Sequence, residues 1–200
     1  MRKEIIKKQS GYTIIETMIA VSLFLIIVVA GIGALLNANL LHQKSRDMRD
    51  IMDNLSFVME DMSRNIRMGY SYHCIDDGDI VKNNVHSCPT GKGISFKSSI
   101  DNSQWVYYVG VNNNGLGIFR KVNGGVAVQL TPDEVSIVGD DPSSGLPVSS
   151  FSVLGAEPPR PNGDKQQPFV IIKLVGKITT KGVVTPFSLQ TSVSQRLIDN

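Results

Sequence analysis

One carboxylate stands at the mouth of a long apolar run, and its chemistry is the most constrained in the chain. Gly11, Tyr12, Thr13, Ile14, Ile15 and Glu16 separate a basic N-terminus from residues 17–41, where no Asp, Glu, Lys, Arg or His occurs. An ionised side chain inside a bilayer costs about 2.5–3.5 kcal/mol on insertion scales. Glu16 therefore needs a cation or a proton once it leaves water. A second group with chemical potential is Cys74 and Cys88, with His73 and His86 close by. These residues allow either a disulfide or a two-Cys, two-His zinc site. Adjacent residues such as His73 and Cys74 rarely point at one metal, and no C-x-x-C or H-x-x-x-H spacing is present, so the disulfide is the preferred reading. It would close a loop of 15 residues, a constraint worth about 3 kcal/mol. Asp76, Asp77, Gly78 and Asp79 are rich in oxygen ligands for Ca²⁺ but lack the Glu and the length of an EF-hand loop, and a solvated turn is expected. Gly91, Lys92 and Gly93 fall short of a phosphate loop, because His86 replaces its first Gly and Gly93 its Ser or Thr.

The elements that must position these groups follow from patterning. Arg2, Lys3, Lys7 and Lys8 against Glu4 give the first ten residues a net charge of +3. By the positive-inside tendency this end stays in the cytoplasm and the body is exported, which suits a disulfide. Beyond the apolar run, Met48, Ile51, Met52, Leu55, Val58, Met59, Met62 and Ile66 recur at the intervals of one helical face. A continuous helix over about residues 13–68 is predicted, roughly 80 Å long at 1.5 Å per residue. Gly31, Gly33, Asn37 and Asn39 should weaken it midway. Arg64 and Arg67 suit its negative end, and Gly69 is a candidate C-cap. The pattern then changes to period two. Strands are predicted at 105–109, 117–122, 126–130, 135–138, 150–154, 169–175 and 183–193, with hairpin turns at 112–115 and 123–125 and a Pro-rich loop at 155–164. The expected fold class is α+β: one long N-terminal helix packed on an antiparallel sheet head.

The N-terminal block resembles the class III signal of type IV pilins and pseudopilins: a short basic leader, Gly, an aromatic residue, Thr, two residues, then Glu. Tyr12 stands where that family usually has Phe. The resemblance implies that a prepilin peptidase cuts after Gly11 and that Tyr12 is N-methylated, while the apolar segment is retained. It also implies that Glu16 pairs with the terminal amine of a neighbouring subunit during filament assembly. WVYY at 105–108, LGIFR at 116–120 and FSLQTSVSQR at 187–196 look like J-type minor pseudopilins and W-type minor pilins. The implied organisation is a cleaved leader at 1–11, a transmembrane and filament-core helix at 12–41, and an extracytoplasmic head at 42–200.

Charge and motif content narrow the function classes. Removing the leader's +3 from the chain's +2 leaves −1, so nothing marks a nucleic-acid surface. Neither a nucleophile elbow nor a sequence-adjacent catalytic partner for His42, His73 or His86 is visible. The resulting expectation is a non-enzymatic structural minor subunit with no cofactor, metal or small-molecule substrate. Its partners would be other pilin or pseudopilin subunits, the prepilin peptidase and the cytoplasmic (inner) membrane, and its destination a periplasmic or extracellular filament of a pilus or secretion system. Two simpler readings of the N-terminus stand beside this one. They are a plain single-pass anchor carrying an unrelated extracytoplasmic binding domain or enzyme, and a signal peptide cut near Gly33 before Ala34.

Overall fold

Apolar residues at three- and four-residue intervals dictate a single helix, α1, over Ile14–Arg67. The computed structural model describes residues 11–76, 85–157, 166–180 and 182–196. The basic leader, Asp77 to Asp79, and most of the Pro-rich loop lie outside the described residues. The chain divides into two compact units, one ending at Ser45 and one beginning at Arg46. In the first, α1 stays helical through Gly31, Gly33, Asn37 and Asn39 rather than breaking there. A Cβ added at either glycine would meet no other atom within 4 Å.

In the second unit, Ile51, Leu55, Val58, Met59, Met62 and Ile66 of α1 are buried in the head's core. Among the described residues ten strands build that head: β1 Gly69–Ile75, β2 Cys88–Gly91, β3 Gly93–Ser98, β4 Gln104–Asn112, β5 Gly115–Val122, β6 Val128–Gln129, β7 Val135–Ile137, β8 Ser150–Leu154, β9 Phe169–Thr180 and β10 Val183–Ser194. They form two antiparallel sheets, β1-β3-β4-β5-β6 and β10-β9-β8-β2, with β7 pairing on β9 beside β8. The fold class is thus α+β, a long N-terminal helix packed on antiparallel sheets. A single meander does not describe it, because β2 leaves the first sheet to pair with β8 before the chain returns as β3. Strand β9 shows the period-two burial expected of a one-faced sheet, with Val170, Ile172, Leu174 and Ile178 inward.

Two local outcomes differ from the sequence reading. Gly69 has no left-handed backbone and does not cap α1; a Cβ there would lie 2.4 Å from the buried Phe96 ring. The last carbonyls of the helix find other donors. Arg196 N–H bonds to the carbonyl of Arg67 at 3.0 Å and Ser99 N–H to that of Met68 at 3.1 Å, while the Tyr72 hydroxyl sits 2.7 Å from the carbonyl oxygen of Ile66. Strand β6 is only two residues long rather than five. The turn at Asn123 and Gly124 is as expected, both residues taking positive φ. Gly91 and Gly93 let backbones approach: an added Cβ would lie 2.6 Å from Cys74 Cβ and 2.6 Å from the carbonyl oxygen of Tyr107, respectively. Packing accounts for these glycines without any phosphate.

Candidate functional site

The candidate site opens with Gly11 and Tyr12 in irregular chain just before α1, with Tyr12 82% exposed. Thr13 is the N-cap. Its carbonyl accepts from Glu16 N–H at 3.1 Å and Thr17 N–H at 3.2 Å, and its hydroxyl oxygen lies 3.4 Å from Glu16 N. Thr13 and Glu16 therefore occupy the N-cap and N3 positions, the Thr-x-x-Glu spacing from which a capping box is built. The carboxylate stands at the positive end of the helix, which favours its charge. This capping role is legible in the S/T-x-x-E spacing, and a reading of Glu16 centred on its charge alone overlooks it. Among the described residues Glu16 forms no ion pair.

Behind Glu16 the helix is apolar all round. It is the one described helix long and apolar enough to cross a membrane, and none of its apolar window is buried. Ile14, Met18, Phe24, Ile27, Val29 and Leu35 each expose more than 60% of their surface. The two hydroxyls near its start bond inward: Thr17 Oγ1 donates to the carbonyl of Ile14 at 2.8 Å and Ser22 Oγ to that of Ile19 at 2.9 Å. No hydroxyl of this stretch is left to carry an unmet hydrogen bond into a dry environment. Such a surface demands lipid tails or other apolar helices around it.

Two devices hold the head. Cys74 and Cys88 form the disulfide, with Cα atoms 6.1 Å apart. Because Cys74 lies on β1 and Cys88 on β2, the bond ties one sheet to the other. It also consumes both thiolates a zinc site would need. Among the described residues no three His, Cys, Asp or Glu side chains converge as metal ligands. The second device is a polar lock between α1 and the first sheet. Asn65 Nδ2 donates to Tyr107 Oη at 2.9 Å and to Asp61 Oδ1 at 3.1 Å, and Arg120 Nη1 reaches Asp61 Oδ2 at 3.7 Å. The Arg120 guanidinium also sits 5.3 Å over the Trp105 ring. Burial, with the Asp61 charge adding to it, pushes the Tyr107 phenol above the usual tyrosine range. Sequence reading missed this lock, because its helix and sheet members are 42 or more residues apart and meet only through the fold.

Residues 6–32 match the family described as the prokaryotic N-terminal methylation motif. No curated protein and no solved structure matches the chain. The matched stretch contains Gly11, Tyr12, Glu16 and the first part of the apolar helix. With its exposed junction, capped first turn and bare apolar cylinder, the chain carries the prepilin-type processing and methylation signal of the type IV pilin and pseudopilin family.

Proposed function

We propose that this protein is a structural minor subunit, a minor pilin or pseudopilin, of a type IV pilus or a type II secretion-like filament. Cleavage after Gly11 and N-methylation of Tyr12 generate the mature chain. Residues 12–41 anchor it in the cytoplasmic membrane and later join the filament core, and residues 42–200 form the exported head. Glu16 directs docking by meeting the terminal amine of a neighbouring subunit. The observation that carries this reading is the match at residues 6–32, laid over a helix start where Glu16 borders an apolar surface with nothing covering it. Minor rather than major status is supported by the position of the disulfide, which lies directly after the helix rather than near the C-terminus. The test is Gly11→Val, which places a branched side chain where the peptidase must approach the backbone. The variant should remain in the membrane with its leader attached. Mature protein beginning at Tyr12 in that variant would refute the reading.

A further inference from the structure

Three arginines converge on one cleft of the head, and only two of them are explained by the helix they sit on. Arg64 and Arg67 occupy the last turn of α1, where cations offset the helix dipole. Arg196 comes from the chain after β10, and its N–H bond to the carbonyl of Arg67 brings a third guanidinium to the same place. All three are exposed and line a cleft of about 430 Å³ with Phe96 and Trp105 in its wall. Asp61 also lines it but is engaged by Arg120 and Asn65. Among the described residues none of the three arginines has an ion-pair partner. Three like charges gathered in one cleft repel one another, and a bound anion relieves that repulsion.

We propose that this cleft is a docking site for an acidic protein segment, whose carboxylates the three guanidinium groups clasp in forked pairs. The aromatic wall decides between a carboxylate-bearing peptide and a nucleotide. The Trp105 ring already carries the Arg120 guanidinium at 5.3 Å and stacks with Phe96 at 6.4 Å, so a stacking base would have to compete with groups already on it, whereas a carboxylate needs only the guanidinium groups. Met68 and Ile100 add apolar surface suited to the stems of peptide side chains. The site stands whether or not the chain assembles into a filament.

The chain's only tryptophan lines the cleft and supplies the readout. Full-length protein in non-ionic micelles would be titrated with an end-blocked Asp/Glu hexapeptide while Trp105 fluorescence is followed. The expected result is a saturable change that weakens as NaCl is raised. Arg67→Gln/Arg196→Gln should weaken it by about tenfold or more, and Lys173→Gln, outside the cleft, should not. The backbone bond from residue 196 survives either substitution, and the thermal transition confirms that the head stays folded. The charge-reversed Arg64→Glu/Arg196→Glu chain should bind a Lys hexapeptide instead. Equal binding of the matching Asn/Gln hexapeptide would overturn the proposal. So would tighter binding of inorganic phosphate or of oligo-dT than of the acidic peptide, each of which would reassign the cleft to phosphate ligands.

Discussion

Glu16 has two physical roles that a pair of substitutions can separate. Glu16→Gln keeps the length and hydrogen-bonding capacity that the N3 position of a capping box uses, but removes the charge. Glu16→Ala removes both. If the residue serves only its own helix, the loss is small: about 0.3–1 kcal/mol for a charge in the first turn and about 1 kcal/mol for a disturbed cap. Docking predicts far more. In an assembled bundle of these apolar helices the neighbouring amine would be buried without its counter-charge, and breaking such a pair costs about 3–5 kcal/mol. That corresponds to a fall of about two to three and a half decades in the assembly equilibrium. Insertion itself should be unharmed or improved in both variants, because a charged group leaves apolar surroundings. Cleavage after Gly11 should continue, since Glu16 lies beyond the cut. The assay compares processed protein in membranes with the amount recovered in sheared filaments. Both variants should be processed yet depleted from filaments by at least tenfold, the Gln variant included. Normal incorporation of Glu16→Gln would show that capping, not charge pairing, is what the carboxylate supplies. A subunit at the very tip is the exception, because it has no neighbour ahead of it to pair with.

The head offers three further tests. Native unreduced protein should resist alkylation at Cys74 and Cys88, and Cys74→Ser should lower head stability by about 2–5 kcal/mol, measured by denaturant unfolding followed at Trp105. Gly69→Ala drives a Cβ into the Phe96 ring, itself stacked among Tyr72, Trp105 and Tyr107; it should cost about 1–3 kcal/mol, less in a Phe96→Leu background, and an additive double-mutant cycle would contradict the close contact. Tyr107 ionises near its ordinary value of about 10 when unfolded but later in the folded head, because burial disfavours its phenolate. Its contribution is therefore fully present below about pH 10 and is lost as pH rises further, by up to about 1.4 kcal/mol per unit. Tyr107→Phe should flatten the alkaline limb of a stability–pH curve by that slope, and an unchanged limb would refute the assignment.

Where the sequence was informative, one period dominated a long window. The apolar face from Met48 to Ile66 predicted the helix to within a residue at each end, and the Asn-Gly turns located β4, β5 and the turn after them. Strands β1, β2 and β3 escaped because local chemistry obscures them. β1 carries Ser71 at φ 58° and a register shift between Tyr70 and His73, which breaks its alternation. β2 contains Pro89 and ends at Gly91, residues that argue against a strand when read alone. The split into two sheets rests on β2 pairing with β8, a contact between Cys88 and Val153 that no short-range pattern encodes. Gly69 illustrates the same limit: its position after a helix suggests a cap, while the reason for its size lies 27 residues away in Phe96.

Unpaired surface charge is ordinary in any protein, so exposure alone does not identify Glu16 or the arginine cleft as functional. What sets them apart is where they stand, and several polar groups that do have partners show the contrast. Asp61 meets Arg120 and Asn65, Lys92 meets Asp140 at 2.8 Å, and Glu157 takes both the N–H and the hydroxyl of Ser87, which hold its carboxyl below the usual range. Even Thr17 and Ser22, within the apolar stretch, turn their hydroxyls back on the helix. Against that background Glu16 borders 25 residues without a charge, and Arg64, Arg67 and Arg196 share one cleft in which Asp61 is already engaged by Arg120 and, among the described residues, none of the three has an ion-pair partner. In the first case, if apolar helices gather and water leaves, the carboxylate requires a cation or a proton, and the proposed docking supplies the cation from another chain. In the second, the head gathers three cations with no ion-pair partner among the described residues, and the proposed acidic segment supplies the counter-charge. Both demands suit the subunit role proposed above, in which a second chain supplies the partner charge.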